Sequence, residues 1–188
     1  LRMTWPTVEI YHPDSYPLEI LSELLASGKK APFNKVLVED KQLSSNVYFF
    51  SDNSEIAGEQ TLLIRAYPGT DLDDVTVAVN EAFAKFEQDG FSNADLDRIK
   101  AGLETSFYNG LSSVLGKAFQ LAQYNIFADN PGYINEDIKK TQAVTKADVM
   151  RVYEKYIKGK NFIATSFVPM GQKDLIVEGS SLAQVEEE

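Results

Sequence analysis

Side chains that could carry out hydrolysis are sparse in this sequence. The chain has one histidine, His12, and no cysteine. A metallopeptidase helix needs two histidines one turn apart with a glutamate beside them, as in H-E-x-x-H or H-x-x-E-H. Only carboxylates could join His12 as metal ligands, and none stands at ligand spacing from it. Because His12 lies in the Pro-containing turn at 12–15, we predict a surface or capping role, with no metal ligand and no catalytic residue in this chain.

Nucleophilic catalysis is equally poorly supported by the sequence. A Ser-based triad needs a histidine or lysine base beside the serine. Ser15 stands near His12, but the segment lacks the strand-turn-helix setting of a nucleophile elbow. Phosphate-binding loops of the GxGxxG and GxxxxGK[ST] types are absent. The sequence therefore identifies no nucleophile, and substrate-contacting residues stay undefined.

Two polar clusters could bind ions, and each has a simpler interpretation. Asp71, Asp73 and Asp74 could form a calcium site, but the EF-hand spacing and its closing glutamate are missing. Carboxylates at a helix start are favoured by the helix dipole, so we predict that they cap a helix. The SGKK segment at 27–30 could attract an anion, but we predict the simpler arrangement, a glycine helix end followed by solvated lysines.

Composition excludes two classes of partner. The 188 residues carry a formal net charge of −10, whereas binding to a phosphate backbone needs clustered Lys and Arg. The aromatics Tyr48, Phe49 and Phe50 could stack on bases, but in an acidic chain they indicate a core strand. No apolar run approaches the roughly 20 residues of a membrane helix. We therefore expect no nucleic acid and no membrane as partners.

The ends of the sequence suggest a larger parent protein. The first residue is Leu1 rather than Met, so we expect a piece of a longer chain, from which a targeting segment could have been removed. We expect a single domain over residues 1–171. Residues 172–188 are polar and end in three glutamates, which indicates a solvated acidic tail or a linker.

The stretch at 90–128 is the main helical element of the chain. Ser92 and Asp95 form an S-x-x-D capping box at its start. Apolar residues then recur at intervals of three and four, first at 96, 99, 103, 107 and 111 and again at Leu115, Ala118, Leu121 and Ala122. The pattern predicts a long helix, a bend near Gly116 and a second helix, whose common apolar stripe must be covered by a sheet or other helices.

The remaining segments predict a mixed fold. Strands are expected at 3–11, 46–51, 59–67 and 161–168, with the middle two forming a hairpin and with Pro6 at an edge or a bulge. Further helices are expected from the turn at 12–15 to Gly28, and at 31–41, 70–90, 133–142 and 145–159, with T-x-x-D boxes at Thr70 and Thr145. This order predicts an α+β two-layer α/β sandwich, in which a mixed or antiparallel sheet carries helices on one face.

Several segments, read in order, resemble one domain of the insulinase/pitrilysin-type zinc peptidases, the family that includes the mitochondrial processing peptidase. No single motif is diagnostic, but the combination spans roughly residues 4–170. The matching segments are Tyr16-Pro17-Leu18 with Leu21 and Leu24-Leu25; Phe33 with Leu37-Val38-Glu39-Asp40-Lys41 and Leu43; Gly90-Phe91-Ser92 with Asp95-Leu96-Asp97-Arg98-Ile99-Lys100; Val144-Thr145 with Asp148-Val149 and Tyr156; and Val168-Pro169.

The resemblance implies a LuxS/processing-peptidase-like metallohydrolase fold and a role in peptide hydrolysis. Members of this family pair homologous domains around an enclosed chamber, and one domain holds the zinc that activates water. Because this chain lacks the zinc motif, it resembles the non-catalytic repeat, with zinc expected in a homologous partner domain, in cis or in trans. A periplasmic or secreted parent protein acting on a peptide substrate is the corresponding hypothesis.

Two positions depart from the substrate-contacting pattern of that family. Insulinase-like members carry an arginine and, seven residues later, a tyrosine near the metal, whereas the matching residues here are Val38 and Ser45. Ala31 and Pro32 replace a Ser-Arg pair that many bacterial members have. The resemblance thus implies a scaffold role for residues 31–43 as readily as a substrate-binding role.

Two alternatives remain open at this stage. Relatives of the same fold serve as core proteins of respiratory complexes, so a structural or assembly subunit without protease activity is the second hypothesis. The third is an unrelated acidic α+β binding module. A sheet without the hairpin within 46–67, or long helices that do not lie on the sheet, would favour the third.

Overall fold

The computed structural model describes residues 1–181 and forms a helical layer over one antiparallel sheet. The strands are β1 (Arg2–Thr7), β2 (Ser44–Asn53), β3 (Gly58–Ala66) and β4 (Ile163–Thr165). The α-helices are α1 (Ser15–Ala26), α2 (Leu72–Asp89), α3 (Asn93–Gly110), α4 (Val114–Phe127), α5 (Ile134–Ala143) and α6 (Lys146–Val152). Two π-helical segments, Asn34–Asp40 and Tyr153–Ile157, and a 3₁₀ turn, Lys173–Leu175, complete these elements.

The sheet has the strand order β2-β3-β1-β4, with antiparallel pairing between all neighbours. This confirms the α+β sandwich and selects the antiparallel alternative. The predicted hairpin is β2–β3, whose register pairs Tyr48 with Leu63 and Phe50 with Thr61. The short connection between these strands lets them pair along most of their length.

β1 lies inside the sheet between β3 and β4 and its register with β3 continues through Pro6, which corrects the prediction of an edge position or a bulge there. It pairs with β3 along its whole length but with β4 only from Arg2 to Thr4. Pro6 therefore lies where β1 has a single neighbour, so its missing N–H leaves the short ladder to β4 intact. The first and the last predicted strands are also shorter than expected. β1 ends at Thr7 because its partner β3 begins at Gly58, and β4 is limited to three residues.

The core lies between the inner face of the sheet and the helices. α1 contributes Leu18, Ile20, Leu21 and Leu25, all of which are fully buried. From the sheet, Trp5 packs edge-on against Phe49 and against Phe83 of α2, with ring centroids 6.2 and 6.1 Å apart. Perpendicular aromatic packing of this kind places ring edges against ring faces and favours one arrangement of the layers.

Two of the three predicted capping boxes are confirmed. The Ser92 hydroxyl accepts a hydrogen bond from the Asp95 N–H at 3.1 Å, and Thr145 accepts one from the Asp148 N–H at 3.2 Å. In both boxes the carboxylate also accepts the N–H of the capping residue. The box predicted at Thr70 is wrong by one residue, because the Asp71 carboxylate caps α2 by accepting the Asp73 N–H at 2.9 Å.

The predicted bend near Gly116 lies three residues earlier. α3 ends at Gly110, and Ser113 starts α4 by accepting the Gly116 N–H at 2.9 Å. Gly116 lies in the first turn of α4, where an added Cβ would stand 2.0 Å from the Gly110 carbonyl oxygen. The glycine therefore permits a close approach between the two helix ends instead of forming the bend itself.

Part of the predicted tail contacts the domain. The Val177 N–H donates to Ser166 Oγ at 3.3 Å, and the Glu178 N–H donates to Asp73 Oδ1 at 2.8 Å. The three terminal glutamates lie outside the described residues. None of the helices within 1–181 combines the length and the apolar character needed to cross a bilayer.

Candidate functional site

His12 acts as a turn residue. Its Nδ1 accepts a hydrogen bond from the Asp14 N–H at 3.0 Å, and its carbonyl oxygen accepts the Ser15 N–H at 2.9 Å at the start of α1. Within residues 1–181, no group of three or more His, Cys, Asp or Glu side chains could hold a metal ion. These residues do not fit a zinc site.

Beside this histidine, Asp14 joins the start of α1 to α6 and to the π-helical segment that follows α6. Its residue surface is 4% exposed, and its carboxylate contacts Arg151 Nη1 at 2.7 Å and Lys155 Nζ at 2.8 Å. Tyr156 also donates to it, at 2.7 Å. Burial alone would raise the pKa of Asp14, but the hydrogen bonds from Lys155, Tyr156 and Arg151 outweigh it and hold this pKa far below its usual range.

A cleft of about 430 Å³ opens between α1, the end of β2, α4 and α5. Three carboxylates line it, from Glu19, Glu23 and Asp137, together with hydroxyl and amide side chains. Among the described residues that line it there is no Lys, Arg or His. The cleft is therefore acidic and suits a cationic or hydrogen-bond-donating group.

Glu19 is the most perturbed carboxyl group of this cleft. Glu19 is an exposed residue, yet its side chain lines the concave cleft, where desolvation and the charges of Asp137 and Glu23 raise its pKa to about 6. Glu19 therefore changes charge near neutral pH, whereas the Asp137 carboxylate accepts the Tyr124 hydroxyl at 2.6 Å.

Two tyrosines, Tyr11 and Tyr16, line the cleft, and both contact Tyr133. Tyr11 adopts a left-handed backbone (φ 62°), and its ring forms a triangle with those of Tyr124 and Tyr133, with centroids 5.5 and 5.2 Å from it and 5.6 Å from each other. Burial, followed by the charge of Asp137, raises the pKa of Tyr11 to about 12. Its hydroxyl is buried without a hydrogen bond among the described residues. The Tyr16 hydroxyl lies 3.3 Å from the Tyr133 hydroxyl.

The floor of the cleft is a buried polar chain that the sequence patterns did not predict. Gln60, which is fully buried, donates to Ser22 Oγ at 2.7 Å and accepts from Ser51 Oγ at 2.8 Å. Ser22 in turn donates to the Leu18 carbonyl at 3.0 Å. The sequence does carry one signal of this network, because Gln60 alternates with the apolar strand residues Leu62 and Ile64. An amide side chain on that core-facing side needs hydrogen-bond partners.

The ion-binding candidates from the sequence lie away from this cleft. Asp71 caps α2 by accepting the Asp73 N–H, as predicted, whereas the Asp73 carboxylate accepts the N–H of Glu178 in the C-terminal segment. Lys29 and Lys30 line a second cavity, which also carries acidic Asp89 and Asp95. The same cavity is lined by Lys85 and Arg98, so its four cationic side chains outnumber its two carboxylates, and Lys85 is paired with Asp89.

The positions compared with the peptidase pattern lie on the scaffold. Val38 is half-buried in the π-helical segment and packs against the core. Ser45 is exposed, with its hydroxyl 3.4 Å from Asn46 Oδ1. Ala31 is buried beside the fully buried Phe33, and Pro32 is half-buried. These residues neither converge on the acidic cleft nor supply a cation or phenol to it.

The pleat of β2 separates the three consecutive aromatic residues that were predicted to form a core strand. Phe49 is buried as expected, but its neighbours Tyr48 and Phe50 lie on the opposite, exposed face of the sheet. Adjacent strand residues point to opposite faces, so three consecutive aromatics cannot all join one core. The prediction of a core strand is thus correct for Phe49 and wrong for the other two side chains.

α4 presents the largest departure from the predicted core. Its inward side carries Gln120, Gln123 and Tyr124, of which Tyr124 alone is buried. The predicted inward stripe at Leu115, Ala118, Leu121 and Ala122 is exposed instead. The helical period of α4 was identified correctly from its apolar residues. The period alone could not indicate which face of the helix packs against the rest of the domain.

Comparison with known proteins places this arrangement among peptidase domains. Residues 1–103 match the family described as the peptidase M16 inactive domain. The chain is 26% identical over 149 residues to the zinc protease PqqE of Helicobacter pylori, covering 78% of this chain and 33% of that protein. It thus spans about a third of the length of that curated relative.

Solved structures show the same fold. The inactive peptidase domain of a zinc protease from Bordetella parapertussis superposes with a TM-score of 0.75 at 16% identity, covering 90% of this chain and 93% of the other. A chain of complex III2 from Candida albicans superposes with a TM-score of 0.72 at 13% identity, covering 86% and 40%.

Proposed function

Since this chain belongs to the peptidase M16 inactive-domain family, we propose that it is a non-catalytic, chamber-forming domain of a zinc metallopeptidase. In this proposal it encloses a peptide substrate, while a homologous domain in the same chain or in a partner subunit holds the zinc. The observation that carries the proposal is the match to this family. It agrees with the described residues, which offer no group able to hold a metal ion.

The acidic cleft supports a substrate-facing role for this domain. Its carboxylates attract positively charged or hydrogen-bond-donating groups, and it contains no nucleophile paired with a base. Enclosing walls of this kind contribute orientation and exclusion of water, while the bond-breaking step belongs to the metal-bearing domain.

The test compares the complete natural protein with the isolated 188-residue chain. We expect the complete protein, or its complex with a co-purifying subunit, to contain an H-x-x-E-H helix, to bind zinc and to cleave peptides in a chelator-sensitive manner. The isolated chain should bind no stoichiometric zinc and cleave nothing. A Glu→Gln change in the H-x-x-E-H motif is the matched control and should abolish cleavage without affecting the fold.

Either of two results would overturn the proposal. One is a parent protein and co-purifying subunits without such a motif, and the other is one tightly bound zinc in the isolated chain, measured by metal analysis. Both measurements read the metal directly, so they do not depend on choosing the correct peptide.

A structural or assembly subunit is the second candidate function. The observation in its favour is that the fold also occurs in a chain of complex III2 from Candida albicans. A complete protein that contains the fold in a stable assembly, yet shows no chelator-sensitive cleavage of a diverse peptide mixture, would favour this candidate.

A further inference from the structure

Positive charge gathers at one cavity of this acidic chain. The cavity, of about 640 Å³, lies between the loop after α1, the C-terminal end of α2 and the first turns of α3. Its ionisable lining consists of four cations and two carboxylates, namely Lys29, Lys30, Lys85, Arg98, Asp89 and Asp95. The whole chain carries a net charge of −10, so this local excess of positive charge is a reversal of sign that attracts anions. The cavity is named the basic cavity.

Both carboxylates of the basic cavity already have partners. Asp89 pairs with Lys85 at 2.7 Å within α2. Asp95 Oδ2 accepts the Ser92 N–H at 3.0 Å in the capping box of α3. The hydrogen bonds from the side chain and backbone of Ser92 lower the pKa of Asp95, which keeps this carboxylate ionised at the helix start. Each carboxylate is thus engaged at its own helix.

Three cations of the basic cavity are left for a ligand. Lys29, Lys30 and Arg98 are exposed, and none of them forms an ion pair with any residue within 1–181. After the larger effect of Ser92, the charges of Arg98 and Lys30 also lower the pKa of Asp95. The fold therefore brings a cation from α3 to the same group as a lysine from the SGKK segment.

Apolar side chains adjoin these cations. Leu24, Ala31 and Phe86 line the basic cavity and are buried. Phe91 also lines it and stacks on Phe86, with ring centroids 5.9 Å apart and planes 6° apart, and these two rings are named the aromatic wall. An ion pair beside apolar groups is stronger than one on an open surface, because less water screens it. The basic cavity therefore suits a ligand that carries an apolar group next to its negative charge.

A further cation contacts the aromatic wall. Lys146 of α6 donates to the carbonyl oxygen of Phe91, and its ammonium group lies 4.9 Å from the centroid of the Phe91 ring. This contact holds Phe91 in place from outside the lining of the cavity. It also adds a positive charge beside the basic cavity, which strengthens the attraction for an anion.

We infer that the basic cavity binds an acidic peptide segment, with a carboxylate of that segment on Lys29, Lys30 and Arg98 and an apolar side chain on the aromatic wall. The guanidinium of Arg98 is a planar fork that matches a carboxylate, and the lysine ammonium groups add point charges. A phosphate would be favoured by free N–H groups at a helix start. At α3 the capping box occupies that start, so the side-chain cations remain to recognise the ligand.

The inference deepens the proposed function and rests on it for the source of the segment, namely the peptide substrate. On α1, residues between Ser15 and Glu23 line the acidic cleft, whereas Leu24 and the loop after α1 line the basic cavity. Successive parts of one helix thus border two sites of opposite charge. A substrate of mixed charge is therefore complementary to this domain, whereas a purely basic peptide matches the acidic cleft alone.

Fluorescence anisotropy with the complete natural protein tests the inference. The probe is a fluorescein-labelled peptide with phenylalanine between two glutamates and an amidated carboxyl terminus, and a zinc chelator prevents cleavage during the titration. The comparison peptide carries glutamine in place of both glutamates. We expect the glutamate peptide to bind about fivefold or more tightly, because its hydrogen bonds to the cavity are charge-assisted. Raising the salt concentration from about 50 mM to about 500 mM should reduce this preference.

Variants of the complete protein locate the binding. Arg98→Gln should reduce the preference for the glutamate peptide to about twofold or less, because the cation that distinguishes the two peptides is gone. The double variant Lys29→Gln, Lys30→Gln should change the preference in the same direction. Arg65→Gln is the matched control, since it removes the same charge from an exposed position on β3, and it should keep the full preference. The melting temperature should be unchanged in Arg98→Gln, because this side chain is exposed.

The outcomes distinguish a failure of this site from a failure of the proposed function. Equal affinities of the natural protein for the two peptides would overturn the site, and so would a preference that the Arg98→Gln variant retains in full. Chelator-sensitive peptide cleavage by a protein without this preference would overturn the site and support the proposed function. A complete protein that lacks a zinc motif but shows a preference dependent on Arg98 would support the site and contradict the proposed function.

Discussion

The hydroxyl of Tyr156 donates a hydrogen bond to Asp14 Oδ2 at 2.7 Å across 142 positions of sequence. The carboxylate is buried at the start of α1, while Tyr156 lies in the π-helical segment that continues α6. Arg151 from α6 and Lys155 from the π-helical segment contact the same carboxylate. The interaction ties α6 and the π-helical segment after it to the first helix of the chain.

Replacing this carboxylate should destabilise the domain. Asp14→Asn is expected to lower the free energy of unfolding by about 2–3 kcal/mol, because three donors lose a charged acceptor in a buried place. Asp40→Asn, which breaks the exposed pair with Lys35, should cost about 0.5 kcal/mol or less. Urea denaturation at neutral pH measures both, and equal losses would show that Asp14 carries no special role.

Acid should weaken the same interaction. The folded state lowers the pKa of Asp14 below its ordinary value of 3.8. Its contribution to stability is therefore present above that value and is lost as pH falls through the lower, folded pKa. The stability difference between the natural chain and Asp14→Asn should shrink with acidification, as measured by urea denaturation between about pH 7 and pH 3. A pH-independent difference would indicate a packing effect instead.

Glu19 should show the opposite dependence. Its pKa rises from 4.5 to about 6 in the folded state, so the folded chain holds this proton more tightly than the unfolded chain. Its contribution is therefore favourable below pH 4.5 and is lost as pH rises through about 6. Glu19→Gln should remove that loss and raise stability above this window by up to about 1 kcal/mol, allowing for solvent screening.

The control for this pH profile is Glu55→Gln, an exposed residue between β2 and β3. It should leave the profile unchanged. If the Glu19→Gln variant follows the natural chain across the whole window, the cleft does not perturb Glu19 in solution.

Two glycines should respond in opposite directions to alanine. A Cβ at Gly58 would lie 2.2 Å from the Val8 carbonyl oxygen, so Gly58→Ala should destabilise the domain by about 1–3 kcal/mol. A Cβ at Gly102 in α3 meets nothing within 4 Å among the described residues, so Gly102→Ala should stabilise it by up to about 1 kcal/mol. Thermal unfolding distinguishes the two, and a stabilising Gly58→Ala would contradict the close approach.

The local elements were largely predictable from sequence. The boxes at Ser92 and Thr145 were found because their partners stand three residues away on the same helix start. The antiparallel hairpin followed from two β-rich runs with a turn between them.

The acidic cleft was not predictable in the same way. Glu19 and Asp137 come from α1 and α5, and Tyr11 reaches them through a left-handed backbone. No local spacing relates these residues, because the chain path between them decides their distance. Gln60 was missed for a related reason, since its partners Ser22 and Ser51 belong to other elements.

The sequence by itself determined where helices and strands form, that the fold is α+β, and that this chain resembles a peptidase repeat without a zinc motif. Only the tertiary structure decided that β1 lies inside the sheet, that Asp14 meets α6 and that the apolar side of α4 faces outward. The physical reason is that periodicity defines the faces of an element through local geometry alone. The surface that covers each face depends on contacts between residues far apart in the chain.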